Sequence, residues 1–187
     1  MILLNKLFII ILVIMGLAAP VEADCSKAKN SSRTVVAGGS ITETIFLLRK
    51  SNLLAGVDVT SNFPEEAKAL PSIGYIRNLS VEGILSLEPT LILAEADVGP
   101  KHVIKQLRGA DLDFRIIDTA YSLSGISAKI KCVAQILNVA PIETEFLVNK
   151  IKKQSDALKA STSKNAENKS LAAFVLMMRG TEPIVAA

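Results

Sequence analysis

From Thr34 onward the chain alternates short, nearly unbroken apolar runs with stretches in which apolar positions recur every three or four residues. The runs predict buried strands at Thr34 to Ala37, Leu54 to Val59, Thr90 to Ala94 and Phe114 to Asp118. The helical spacing predicts helices over Thr42 to Arg49, Ser80 to Leu87, Pro100 to Arg108 and Ser124 to Val139. Gly38-Gly39 reads as a turn, a helical turn follows Pro64, and Ser72 to Tyr75 reads as a short extended piece. Ser80 suits an N-cap, Pro89 a terminator and Gly109 a helix exit. Strands separated by helices imply an α/β unit over residues 34–140 with a parallel sheet covered on both faces.

Pro141 then opens a long helical pattern to about Ala160, with Phe146, Leu147, Ile151 and Leu158 on one side and lysines on the other. Ala160 to Ser170 is rich in Ser, Lys and Asn and reads as a loop. Leu171 to Met178 is apolar enough for a buried strand that either begins a second lobe over residues 171–187 or docks elsewhere. A lone apolar strand needs cover from further elements, so a lobe left incomplete would expose it.

The N-terminal 23 residues carry Lys6, an apolar run and small residues before Asp24, the order of a cleavable export signal. The run is short of the ~20 residues a membrane-spanning helix needs. Cys25 raises a lipid anchor, but Asp24 stands where such a site takes a small neutral residue, which favours a soluble exported product. Residues 24–33 are polar and read as a mobile leader. With only Cys25 and Cys132, no disulfide framework is expected, and Cys132 reads as an ordinary buried thiol.

The net charge of +3 is dispersed and aromatic residues make up 4% of the chain, which argues against a nucleic-acid partner. One histidine, two tyrosines, no tryptophan, no phosphate-binding loop and no cysteine pair at metal spacing leave little for catalysis, so no enzyme and no catalytic cofactor are expected. His102, near the start of its helix, lacks companions for a metal set and reads as solvent-exposed. Gly39 and Ser40 precede a helix N-terminus that could hold an anion, although a tight turn with Ser40 or Thr42 as cap explains them equally well. Gly74-Tyr75-Ile76-Arg77 places a phenol near a cation, and ferric iron favours such an oxygen donor; a loop tyrosine is also commonly a packing residue. Glu82 complements the dipole of its helix, or offers an exposed carboxylate to a basic partner.

Four blocks in order, Arg33 to Glu43, Gly56 to Ser61, Leu70 to Arg77 and Ser80 to Leu93, resemble the haem-binding periplasmic proteins of ABC-type hemin importers. The resemblance implies two Rossmann-like lobes joined by one long helix, for which residues 141–160 are the candidate. It implies haem as transported ligand, with Tyr75 as axial iron ligand and Arg77 near the phenolate or a propionate. It also implies a periplasmic, monomeric protein that meets inner-membrane permease subunits through Glu82, in the Leu-x-x-Glu-x-Ile pattern of the wider cobalamin, siderophore and haem class. Some members add a histidine from the second lobe; Met178 stands at the matching place, so tyrosine-only coordination is expected. Family members continue well beyond this length, so the chain resembles a form truncated in its second lobe. A cobalamin or ferric-siderophore carrier is the alternative, and a non-binding remnant is another.

Overall fold

The computed structural model describes residues 24–118, 120–165, 175–179 and 182–186. The expected export signal and Leu171 to Phe174 lie outside them. Four strands, β1 (Thr34–Ala37), β2 (Leu54–Val57), β3 (Leu91–Glu95) and β4 (Asp113–Ile117), form one all-parallel sheet in the order β2-β1-β3-β4. A parallel bridge from Val57 to Ser72 prolongs it beyond β2. The α/β architecture expected from the alternation of runs and periods is the architecture observed.

Helices α1 (Gly39–Leu47), α2 (Val81–Leu85), α3 (Lys101–Gly109) and α4 (Leu123–Ile136) follow the strands. Period two along β1 and β3 sends Val35, Ala37, Ile92 and Ala94 to one face, against Ile84 of α2 and Val103 and Leu107 of α3. Val36, Leu91 and Leu93, equally buried, face the other way, the side on which α1 and α4 pack together. With both faces covered, Val35 to Ala37 of β1 and Leu91 to Ala94 of β3 have no polar position, which is why these stretches read as runs rather than alternations.

Helices α1, α2 and α4 stop earlier than their apolar periods, while α3 runs one residue beyond its own. Each is followed by a residue in the left-handed region, Arg49, Glu88, Asp111 and Asn138, that turns the chain away. Gly109, expected as an exit, is the last residue of α3, and Asp111 makes the turn. The segment after Pro64 is a short 3₁₀ helix, Glu65–Ala69.

Three expectations are corrected. Cys25 and Cys132 form a disulfide, 107 residues apart, so Cys132 is not a free thiol. The polar leader is not loose over Asp24 to Ala28. Beside the disulfide, Arg115, 8% exposed, donates to the carbonyls of Asp24 and Ser26 while gripping both carboxylate oxygens of Asp113 at 2.6 and 2.7 Å. The hydrogen bonding of its guanidinium to the Asp113 carboxylate is the main reason the Arg115 pKa is raised. Ala28 is buried and its N–H donates to the Ile136 carbonyl. Third, α5 spans Pro141–Asn165, so residues 160–165 are helix rather than loop.

The chain divides into two compact units, one ending at Val148 and the other starting at Asn149, and α5 runs through that boundary. In the second unit, β5 (Val175–Arg179) pairs antiparallel with β6 (Glu182–Ala186). The expected apolar strand therefore has a hydrogen-bonded neighbour.

A disulfide closing so long a loop restricts the unfolded chain by an amount worth up to about 4–5 kcal/mol. The Cys25→Ser/Cys132→Ser double variant should unfold at a clearly lower urea midpoint than the parent, and the unfolded parent should show no free thiol until reduced.

Candidate functional site

In a parallel sheet all the strands point the same way, and their C-terminal ends open onto one edge. Ligand crevices of open α/β sheets form there, where neighbouring strands send the chain in opposite directions. Here β2 and β3 leave β1 on opposite sides, so the loops after Ala37 and Glu95 flank that point.

Two carboxylates organise this edge. Asp58, 1% exposed, accepts from the Gly38 N–H (2.8 Å) and the Ser61 hydroxyl (2.7 Å) on one oxygen, and from the Thr60 N–H and hydroxyl on the other. Thr42 extends the network to Ser61. Glu95 lies over the start of α1, where its Oε1 accepts from both the N–H and the hydroxyl of Ser40, and Lys129 of α4 donates to that hydroxyl and stands 3.7 Å from Glu95. The positive end of α1 thus already faces a carboxylate of this chain. Gly38 is required beside it: its φ is +143°, and a Cβ there would stand 2.5 Å from the Glu95 Cγ.

Gly39 and Ser40 therefore belong to a closed polar turn at the centre of the edge. That Glu95 fills this place was invisible in the sequence, because the contact joins residues 55 positions apart.

Tyr75 stands on a loop tied at both sides. The Val59 N–H donates to the Gly74 carbonyl, the Gly99 N–H to that of Ile76, and the Leu79 N–H to that of Gly99. Ile73, Ile76 and Leu79 anchor the loop in the core, and the Asn78 N–H closes a tight turn on the Tyr75 carbonyl. The phenol side chain is left 46% exposed. Arg77 does not point freely into solvent: its Nε and Nη2 both donate to Asp97 Oδ2, at 3.0 and 2.8 Å. Its pKa is raised chiefly by that hydrogen bond, then by the electrostatic pull of Tyr75 and of the Asp97 charge, and to a smaller extent by Tyr121. Asp97 carried no signal in the sequence, since nothing there links it to Arg77.

Val59 and Phe63 are also exposed on the loop after β2, as is Tyr121 on the loop after β4. Among the described residues, the edge thus combines an apolar rim with one ion-paired guanidinium.

Glu82, in the first turn of α2, is exposed, as is His102 of α3, the latter as expected. The two share a shallow depression of about 440 Å³ with Ser80 and Gln106. Ser80 caps α2 as its position foretold, accepting from the Gly83 N–H.

The profile of the periplasmic binding protein family matches residues 35–186. The chain is similar to the solved periplasmic haem-binding protein RhuT from Roseiflexus sp. RS-1 in apo form: 36% identity, TM-score 0.75, covering 84% of this chain and 59% of that one. It is similar to the periplasmic haem-binding protein BhuT in complex with two haems, at 34% identity and TM-score 0.74, covering 84% and 61%. It also aligns with a vitamin B12-binding protein of Pectobacterium atrosepticum, 26% identical over 143 residues, 76% of this chain and 50% of the relative. The chain spans about half the length of the curated relatives it matches. It belongs to the periplasmic binding protein family.

Two substitutions test the scaffold of the edge. Gly38→Ala should cost about 1–3 kcal/mol through its backbone conformation. Asp58→Ala, which strips buried donors of their acceptor, should cost about 2 kcal/mol or more. Urea unfolding followed by circular dichroism reads both.

Proposed function

We propose that this member of the periplasmic binding protein family captures haem at the C-terminal edge of its sheet and delivers it to an inner-membrane ABC permease, without catalysis. The observation that carries the reading is Tyr75, a half-exposed phenol on a loop tied to its neighbours on both sides, with a clamped guanidinium within electrostatic reach. A single phenolate holds ferric iron well when the ligand brings its own ring of nitrogen donors, and tyrosinate serves as an axial haem ligand. Arg77 supplies positive charge for a propionate. Two solved proteins to which the chain is similar, at 36% and 34% identity, are haem-binding proteins.

Gly39 and Ser40 contribute as the polar floor between strands, and Met178 takes no part as a ligand in this reading. Glu82, exposed at the start of α2, is the docking carboxylate for a basic surface on the permease. The 1–23 segment acts as the export signal, and the disulfide accords with an oxidising compartment such as the periplasm. The long α5 is read as the interlobe helix, with residues 171–187 belonging to a second lobe.

A second reading, a cobalamin carrier, is favoured by the vitamin B12-binding relative. It shares the docking logic but needs no phenolate.

Hemin titration of the purified chain should give a saturable high-spin ferric spectrum that Tyr75→Phe abolishes, with cobalamin failing to compete. Unchanged binding in Tyr75→Phe, or displacement by cobalamin, overturns the haem reading. Glu82→Ala should leave hemin affinity unchanged and lower the stimulation of permease ATPase activity.

A further inference from the structure

Tyr121 entered the sequence reading only as one of two tyrosines. The structure leaves it fully exposed, on the five-residue connection between β4 and α4. Ala120 to Ser122 are held in shape. The Ser122 N–H donates to the Ala120 carbonyl at 2.8 Å, Ser122 caps α4 by accepting from the Gly125 N–H, and a Cβ on Gly125 would stand 1.8 Å from the Ala120 oxygen. The glycine thus permits a turn that closes tightly beneath Tyr121 and leaves its ring outside.

The topology carries this ring toward Tyr75. Glu95 and Ile117 are register partners, so the loops after β3 and β4 leave the sheet side by side. Asp97, two residues beyond Glu95, grips Arg77, and Arg77 belongs to the Tyr75 loop. Arg77 lies within electrostatic reach of both phenols, which places the chain's two tyrosines around one guanidinium. An aromatic side chain that buries nothing in its own domain contributes its contact area only when a ligand covers it.

We propose that Tyr121 is a specificity residue of the ligand edge, packing its ring against the flat face of the bound macrocycle while Tyr75 holds the iron. The inference rests on the haem reading above. Its ring is what acts; its hydroxyl coordinates nothing.

The test is hemin titration of the purified chain, its Tyr75→Phe variant, and Tyr121→Ala and Tyr121→Phe, with urea unfolding alongside. Removing the ring should weaken hemin about tenfold, the size expected of a good aromatic contact. Tyr121→Phe should stay within about twofold of the parent. Both Tyr121 variants should keep the parent ferric spectrum and urea midpoint. Parent-like affinity in Tyr121→Ala, with Tyr75→Phe inactive, overturns the role of Tyr121 and leaves the haem reading standing. A changed spectrum in Tyr121→Phe overturns it in favour of iron ligation. A parent chain that never saturates with hemin overturns both.

Discussion

Parallel strands that end together leave backbone donors and a helix N-terminus crowded at one edge, and all of these must find acceptors. Asp58 and Glu95 meet that demand from within the chain. Asp58 does so below the surface, with four donors converging on one buried carboxylate. Glu95 does so at the start of α1, steadied by Lys129. Because both are internal, the loops carrying Tyr75, Arg77 and Tyr121 rise from a floor that is already satisfied. The rim is then left free for the proposed ligand chemistry.

The opposite requirement is met near the start of the folded chain. Asp24 to Ala28 has few apolar side chains with which to hold itself against the lobe, and it is fixed by a covalent bond, a buried guanidinium and a backbone hydrogen bond. Arg115 illustrates how a cation is tolerated in such a place. Asp113 neutralises it, and main-chain carbonyls take the donors that remain.

These particulars show which parts of the molecule its sequence could disclose. The strands and helices were legible because burial on both faces of a parallel sheet writes itself as apolar runs, and helix packing as a period of three to four. Ser80 was legible because a cap acts on residues close by. What escaped was long-range: Cys25 with Cys132, Arg77 with Asp97, and Ser40 with Glu95. No local pattern encodes such pairings. Polar composition between 24 and 33 suggested looseness because composition records what a segment cannot bury, and says nothing of what reaches out to hold it. Tyr75 stood out through its Gly-Tyr-x-Arg setting, whereas Tyr121 sits among small residues with no such neighbourhood.

If Arg77 serves the proposed ligand, its pairing with Asp97 bears on release as much as on holding. Both partners are substantially exposed, and ion pairs of that kind are worth only about 0–1 kcal/mol. A carboxylate of the proposed ligand can therefore take over the guanidinium from Asp97 at small cost. Exchange between two acceptors of similar strength keeps the charge compensated at every stage, so neither loading nor unloading has to pass through a bare cation. In the proposed carrier role, such a reversible handover is worth more than a tight grip.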